Sequence, residues 1–552
     1  MKTEAWTSAR VGYGLLAALY VLSFPYHPGL RSPNELCRLW QSRSLIDDGT
    51  LSINGVIQRS GMVGDLSCTA TVRDATGDRL ARCVGPEAPR SGVVAVNYYP
   101  SKAPLMSFLG APVYWVLSKV TSGRVTELAQ VFWSRLFLTI APTLVMLVLL
   151  RRFLMAYVAP ATADLFVVIY ALGTMALTYS LAFMSHQMTA VLLFSAFYFA
   201  WRIERGEWKE RGYLLVGLLS ALAVVAEYTA ALGVLCLASW TVASRWPKPP
   251  GATALGATGW PELARATGLV IAGSVPALAL LMLYHRAAFG SPFVSGYKFL
   301  NDAAYMNWHE GGFLGIKMPD ARAFGLSYFS PLRGFFALSP FLMASVFGLR
   351  DLKAKERALF IFTAVLLGGH AYFTSSFNYD SWGWTVGPRH LTGTLPFLIL
   401  PAAMVFERLS AAKDWMKAGL VGGLGVSSIL ATGLVAFVNY VPDDVSTSVF
   451  GLAIPVWSDG YWPVSWLAAF IPNPASGVVL AALLFGAVAW AIAVVKQGRE
   501  AAVVGGVVLA LVLHFGILRL FTRSDDHDQA ATKFLESVWV APNGKALEFR
   551  AP

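Results

Sequence analysis

Charged residues are scarce in this sequence. Only 14% of its 552 residues are charged, 56% are hydrophobic, and the mean hydropathy is +0.56. An average soluble domain carries about 25% charged residues, so this composition excludes an ordinary soluble protein and predicts a membrane protein. The net charge of +11 comes mostly from lysines and arginines beside apolar runs. That pattern is typical of topology signals and argues against a nucleic-acid surface.

The sequence also lacks the motifs of several common chemistries. It has no G-x-x-x-x-G-K-[ST] phosphate loop, no dinucleotide-binding fingerprint, no internal repeat and no low-complexity tract, which excludes the nucleotide-binding folds that those motifs mark. Only four cysteines occur, and no pair of them has zinc-ligand spacing. Cys68 and Cys83 share one long hydrophilic segment. They could form a disulfide in an oxidising compartment or remain free thiols.

Long apolar runs are abundant. A helix needs about 20 mostly apolar residues to cross the hydrocarbon core, and the runs predict an all-α polytopic membrane protein with about thirteen transmembrane helices. The first run follows Lys2 and Arg10 without an A-x-A-like cleavage site, which favours a retained helix over a signal peptide. The predicted spans are 9–26, 127–150, 162–182, 187–203, 212–226, 228–244, 266–284, 334–349, 358–374, 391–408, 418–438, 479–495 and 501–519.

Flanking charge predicts the orientation of these helices. With a cytoplasmic N-terminus, the loops after even-numbered helices should be basic, and six of them are, at 151–152, 202–211, 245–248, 350–357, 413–417 and 496–499. This agreement favours a hairpin over one long helix at 212–244. It also requires Ala103 to Lys119, an apolar segment with two prolines, to lie in the outer interface instead of spanning.

The predicted organisation places most polar residues on one face. Residues 1–26 form the first helix, 27–126 an outer loop with interfacial helices, 127–519 the bundle with outer loops 285–333, 375–390 and 439–478, and 520–552 a short outer tail. Long polar loops gathered on one side of a helical scaffold suit an enzyme at the outer surface. They suit a transporter with a site at the midplane less well.

Two elements in the first outer loop could carry chemistry. Glu35 follows Pro33 and precedes Arg38 just past the first helix, and a carboxylate at the membrane surface can act as a general base; a solvated helix cap is the alternative. Lys102 follows Tyr98-Tyr99-Pro100-Ser101. It could pair with a lipid phosphate or simply extend its ammonium group to the interface.

These elements, with Arg135 near the start of the second helix, resemble the membrane-embedded GT-C glycosyltransferases. The similar families are the lipid A aminoarabinose transferases and the protein O-mannosyltransferases. The resemblance implies a polyprenyl-phosphate sugar donor, a catalytic carboxylate in the first outer loop and a lysine near the donor phosphate. The family's Asp-Glu pair reads Asn34-Glu35 here. The base role therefore falls to Glu35, and Asn34 would orient the acceptor.

Further loops carry elements similar to that family. Arg389, in Gly387-Pro388-Arg389-His390, could bind a phosphate bidentately, and Trp382 and Trp384 could stack on a sugar; an interfacial aromatic belt is the alternative. Arg333 would supply a second cation. Two outer turns carry His186 and Glu227-Tyr228, and the resemblance implies that they face the carrier lipid. Structural roles for these residues stay open.

The sequence therefore predicts an inverting glycosyltransferase on the outer face of a bacterial inner membrane, with a glycolipid, polysaccharide or protein acceptor. The alternatives are a flippase for lipid-linked sugars and a non-catalytic subunit of a polysaccharide assembly system. No cofactor is implied, although Glu35, Asp380 and His186 could gather a divalent metal. The predicted site residues are the base Glu35; the phosphate-binding Lys102, Arg389 and Arg333; and the substrate-binding Asn34, Arg38, Tyr99, His186, Glu227, Tyr228, Asp380, Trp382, Trp384 and His390.

Overall fold

Helices dominate the computed structural model, which describes residues 2–23, 25, 32–75, 77–245, 260–310, 315–377, 383–443, 445–460, 465–471 and 475–539. The first half contains α1 (Lys2–Leu22), α2 (Pro33–Asp47), α3 (Asn54–Ser60), α4 (Leu105–Val120), α5 (Glu127–Arg135), α6 (Ala141–Leu154), α7 (Pro160–Leu172), α8 (Met175–Ser180), α9 (Ser185–Glu204), α10 (Tyr213–Ala226), α11 (Ala230–Arg245) and α12 (Trp260–Phe289). The second half contains α13 (Ala303–Glu310), α14 (Ala321–Phe329), α15 (Phe335–Leu338), α16 (Leu342–Lys355), α17 (Arg357–Ser376), α18 (Leu395–Ala411), α19 (Trp415–Val438), α20 (Ile454–Ser458), α21 (Ala475–Lys496), α22 (Ala502–Leu520) and α23 (Asp526–Trp539).

Seven helical stretches among the described residues are long and apolar enough to cross a membrane. They are Glu127–Leu154, Trp260–Phe289, Arg357–Ser376, Arg389–Ala411, Trp415–Val438, Ala475–Lys496 and Ala502–Leu520. Shorter apolar helices lie at Ala9–Leu22, Leu105–Val120, Pro160–Leu172, Ala230–Arg245 and Val449–Ser458. The prediction of an all-α polytopic membrane protein is confirmed, whereas the count of thirteen spans is not.

Two predicted spans are interrupted. The run 162–182 divides into α7 and α8, because the Thr174 side chain accepts a hydrogen bond from the Ala176 amide and so caps a new helix. The run 334–349 divides into α15 and α16 around Pro340, whose missing N–H prevents a continuous helix. The segment 212–244 forms the hairpin of α10 and α11, as the positions of the basic loops indicated.

A small antiparallel sheet occupies the middle of the 27–126 segment. Its strands are β1 (Leu66–Asp74), β2 (Gly77–Arg82) and β3 (Val93–Pro100), in the order β2-β1-β3. The sequence predicted interfacial helices for this segment and did not predict the sheet. Cys68 in β1 is joined to Cys83, just beyond β2, by a disulfide, so the first of the two alternatives for these thiols holds in the structure.

The buried core lies around α7, α9 and the middle of α18 and α19. Nearly every side chain of α7 and α9 is buried, and α19 packs against α7, α21 and α22. This arrangement places the start of α9, the start of α18 and the end of α19 at one end of the bundle, beside the sheet. We call that end, where the long loops gather, the loop end.

Candidate active site

A cavity of about 650 Å³ opens at the loop end. Its walls come from the first long loop, the 285–333 loop, the segment 383–389 and residues just after α19. The 285–333 loop is held against β1, because the Asn301 amide donates to the Leu66 carbonyl at 2.9 Å and the Ser67 hydroxyl donates to the Gly296 carbonyl at 2.7 Å. The sheet thus fixes two walls of the cavity relative to each other.

An ion pair lies in the wall of this cavity. Lys102 Nζ contacts Asp65 Oδ1 at 3.1 Å, and both residues line the cavity. Asp65 directly precedes β1 and Lys102 closely follows β3, and the antiparallel register pairs Leu66 with Pro100. The Ser101 amide also donates to the Asp65 carbonyl at 2.9 Å. Sheet register therefore brings the two charges together.

The electrostatic surroundings of Asp65 are strongly cationic. Burial raises the pKa of its carboxyl, but the nearby charges of Lys102, Arg389 and Arg38 outweigh that effect and hold the pKa below its usual range. The Asp65 side chain is 32% exposed, so it is accessible from the cavity. Asp65 is consequently ionised at neutral pH.

Arg389 supplies a second cation to the same cavity. It begins a short 3₁₀ turn, Arg389–Thr394, that leads into α18. Gly387 makes this approach possible, since its φ of +71° disfavours other residues and a Cβ there would meet the Met175 sulfur at 2.4 Å. Arg389 also lines a much smaller adjacent cavity with His186, Glu227 and His390.

Aromatic side chains line the large cavity. They include Tyr297, Tyr305, Trp308 and Trp384, and Tyr305 is 47% and Trp384 40% exposed. Tyr305 and Trp308 pack edge to face with ring centroids 5.1 Å apart, and the Lys102 ammonium lies 5.6 Å from the centre of the Tyr297 ring. Exposed aromatic faces beside ionic groups suit a ligand with both apolar and polar surfaces, such as a sugar ring.

Glu35, the base that the sequence predicts, lies in a different environment. Arg135 donates to both of its carboxylate oxygens, at 3.0 and 2.8 Å, and the Phe183 amide donates to the carboxylate as well. The Glu35 residue is only 4% exposed. Arg135 also donates to the Pro25 carbonyl at 2.9 Å. Glu35 therefore joins α2 to α5 and to the segment before α9.

A buried polar network continues from Asn34 to the predicted lipid-facing residues. Arg38 donates to the Asn34 carbonyl and side-chain oxygen and, at 3.1 Å, to the Ser185 hydroxyl. Ser185 in turn donates to Glu227 at 2.6 Å, and His186 Nδ1 lies 3.5 Å from the same carboxylate. The structure thus brings four predicted residues, Asn34, Arg38, His186 and Glu227, together beside the cavity, and Asn34 reaches its wall.

The remaining predicted residues have varied positions. Arg333 donates to the Gly383 and Val441 carbonyls at 2.7 and 3.0 Å and pairs with Asp443, so it ties two cavity loops together. Tyr99 packs edge to face on Phe289 in an apolar cluster.

Three predicted residues remain. The Tyr228 hydroxyl is 2.9 Å from His285 Nε2. Asp380 and Trp382 lie outside the described residues.

Sequence reasoning missed several residues of the cavity wall. Asp65, Tyr305, Trp308, His309 and Tyr440 line it, yet no motif marks them. A Gly-Asp pair before a β-like run was the one local signal for Asp65. Among the described residues, no group of three or more His, Cys, Asp or Glu side chains is arranged to hold a metal ion.

Comparisons with known proteins give two similar solved structures. One is the crystal structure of ArnT from Cupriavidus metallidurans in the apo state, with 13% identity, a TM-score of 0.47, and coverage of 94% of this chain and 78% of that one. The other is the crystal structure of the Archaeoglobus fulgidus oligosaccharyltransferase in the apo form, with 11% identity, a TM-score of 0.40, and coverage of 87% and 59%. No protein-family model and no curated protein matches the chain.

Proposed function

We propose that this chain is an inverting glycosyltransferase that moves a sugar from a polyprenyl-phosphate donor to an acceptor of the cell envelope. The observation that carries the proposal is the Lys102–Asp65 pair in a cavity that also holds Arg389 and exposed aromatic rings. Sugar transfer from a lipid phosphate needs these parts: cations for the phosphate, a carboxylate for the acceptor proton and flat apolar faces for the sugar.

Lys102 and Arg389 are the groups proposed to bind the donor phosphate. Arg389 begins the candidate span Arg389–Ala411, and a position at the end of a span supports contact with a lipid phosphate. Arginine can bind a phosphate through two parallel hydrogen bonds, and lysine adds a mobile point charge. Negative charge grows on the phosphate as the sugar departs, so cations fixed at that position stabilise the transition state.

Asp65 is the general base that the geometry favours. It is 32% exposed on the cavity wall, whereas Glu35 is 4% exposed and hydrogen-bonded through both oxygens to Arg135. In the proposed step, Asp65 takes the proton of an acceptor hydroxyl or amine, whose oxygen or nitrogen forms the new bond to the anomeric carbon. The bond from that carbon to the phosphate oxygen breaks, and the configuration inverts. Glu35 as base stays the competing prediction from the sequence.

Lys102 links donor binding to the activity of the base. Without donor, its ammonium pairs with Asp65 and lowers the basicity of the carboxylate. A donor phosphate attracts the same ammonium, so its arrival weakens the pair and raises the pKa of Asp65. The donor would therefore bind first and prepare the base for the acceptor.

The proposed location is the outer face of a bacterial inner membrane. The Cys68–Cys83 disulfide lies in the sheet beside the cavity, and disulfides persist in oxidising compartments such as the periplasm. The basic loops at the opposite ends of the helices favour the same orientation.

The test is transfer of labelled sugar from a panel of polyprenyl-phosphate sugars in proteoliposomes. We expect Asp65→Asn to reduce transfer by about 10²–10⁴-fold, the usual contribution of a general base. Asp78→Asn is the matched control, because Asp78 pairs with Arg73 on the exposed part of the same sheet. If Asp65→Asn keeps full transfer and a stably folded Glu35→Gln loses transfer, Glu35 is the base. No transfer from any donor would contradict the enzyme and favour a flippase.

A further inference from the structure

A second cavity, of about 300 Å³, lies at the opposite end of the bundle from the candidate active site. Arg10 and Tyr13 of α1, Arg151 of α6, Asp164 of α7 and Trp490 of α21 line it. The first turn of α7 and the segment after α21 complete its wall. The proposed glycosyl transfer makes no use of these residues.

The charges around this cavity favour an anion. Arg151 Nε donates to Asp164 at 2.5 Å, its second nitrogen reaches the other carboxylate oxygen at 3.3 Å, and the Tyr13 hydroxyl donates at 2.9 Å. The buried Asp164 carboxylate is thus satisfied by groups of the protein. Two arginines and one aspartate line the cavity, so its lining carries a net positive charge.

The cavity lies beside the ends of candidate membrane spans. Arg151 lies in the last turn of the candidate span Glu127–Leu154, and Gln497, another lining residue, directly follows the span Ala475–Lys496. Arg10 lies at the start of the apolar stretch Ala9–Leu22. Basic pockets between membrane helices at this level are suited to phosphate-containing headgroups. Val11, next to Arg10, is half exposed and offers an apolar surface for an acyl chain.

Close helix packing preserves the cavity. α1 packs against α21 and α7, and a Cβ on Gly12 would meet the Trp490 ring at 2.4 Å. The glycine therefore lets α1 lie directly on Trp490, which forms part of the cavity wall. The cavity is consequently a feature of a tightly packed contact between helices.

We propose that this cavity binds the phosphodiester headgroup of an anionic phospholipid, with the acyl chains lying along α1. The lipid would join α1, α6, α7 and α21 at the end of the bundle remote from the active site. This proposal stands independently of the glycosyltransferase proposal, because its readout is lipid-dependent stability and not sugar transfer.

The experiment compares the thermal unfolding of the full chain in phosphatidylcholine nanodiscs with and without phosphatidylglycerol. We expect phosphatidylglycerol to raise the Tm of the wild type, and Arg10→Gln to remove at least half of that rise. Ala161→Phe should do the same by filling the cavity, since Ala161 is an exposed residue of its lining. Arg152→Gln is the matched control, because this exposed arginine neighbours Arg151 outside the lining residues.

Two results would overturn the proposal. The first is a phosphatidylglycerol-dependent rise that persists in full in both Arg10→Gln and Ala161→Phe, because the lipid would then bind elsewhere. The second is an equal rise when soluble glycerophosphate is added to phosphatidylcholine nanodiscs, because a free phosphate would then be the ligand. The proposal is supported if the phosphatidylglycerol-dependent rise in Tm is lost in both cavity variants and kept in Arg152→Gln. Glycerophosphate should not reproduce that rise.

Discussion

Lys102 and Asp65 face each other at 3.1 Å across the wall of the loop-end cavity, although 36 residues and a three-stranded sheet separate them in the chain. Glycosyl transfer from a lipid phosphate would require these two paired groups to separate. The ammonium of Lys102 is a candidate ligand for the donor phosphate, and the carboxylate of Asp65 is a candidate base for the acceptor.

Replacing Lys102 should change the pH dependence of transfer. Lys102 is the strongest of the charges that lower the pKa of Asp65 against the effect of burial. In Lys102→Gln the charge that opposes the effect of burial is lost, so the pKa of Asp65 rises. The acid limb of the kcat/KM profile therefore moves to higher pH. A pH series of initial rates measures this shift. The control is Lys119→Gln, at the exposed end of α4, which should keep the wild-type pH profile. A Lys102→Gln profile that does not shift would contradict the role of Asp65 as the base.

Replacing Glu35 should destabilise the fold. Removal of one partner from a buried ion pair leaves an uncompensated charge, at a cost of about 3–5 kcal/mol, and Arg135 and Glu35 are both almost fully buried. We expect Glu35→Gln to lower the Tm in detergent and Glu35→Gln/Arg135→Met to recover part of the loss. If Glu35 acts only as a base, Glu35→Gln would instead abolish transfer at an unchanged Tm.

Reduction of the disulfide should affect both stability and transfer. Cys68 and Cys83 are 15 residues apart, and closing a loop of this size stabilises a fold by about 3 kcal/mol. Asp65 lies three residues before Cys68, so loosening β1 also displaces the cavity wall. We expect dithiothreitol to lower both the Tm and the transfer rate of the wild type. Cys68→Ala/Cys83→Ala should show the same losses, and added reductant should then have no effect on that variant.

Arg333 should act through the loops that it joins. Its guanidinium donates to Gly383 and Val441 carbonyls and pairs with Asp443, and loss of such buried hydrogen bonds costs about 1–3 kcal/mol. We expect Arg333→Gln to lower the Tm and to increase proteolysis in these loops. A raised donor KM at an unchanged Tm would instead agree with the phosphate-binding role predicted from the sequence.

His309 should make stability depend on pH below neutrality. Burial, together with the Lys102 charge, lowers the pKa of this cavity residue from 6.5 to about 4. Between those values the unfolded chain binds a proton that the folded chain does not, so stability falls as the pH drops from about 6.5 to about 4. We expect His309→Gln to show a smaller loss of Tm over this range. Equal slopes of Tm against pH for the wild type and His309→Gln would contradict the low pKa of His309.

The local pattern of the sequence was sufficient for much of the membrane architecture. Apolar runs located the long spans because transfer of the backbone into lipid requires uninterrupted helices of a minimum length. The basic residues at 202–211 and 245–248 correctly indicated the α10–α11 hairpin. The prediction of continuous spans was wrong at Pro340 and Thr174. A proline or a capping side chain interrupts a helix without reducing the mean hydropathy of its segment.

The chemistry of the cavity depends on contacts that no local pattern encodes. The sequence by itself determined the membrane class, the main spans and the loops that carry Lys102 and Arg389. Only the tertiary structure decided that Glu35 pairs with Arg135, 100 residues away, and that Asp65 stands opposite Lys102. The physical reason is that hydrophobic runs and charge bias act over one helix at a time, whereas strand register and buried ion pairs form between segments that meet only when the whole chain is packed.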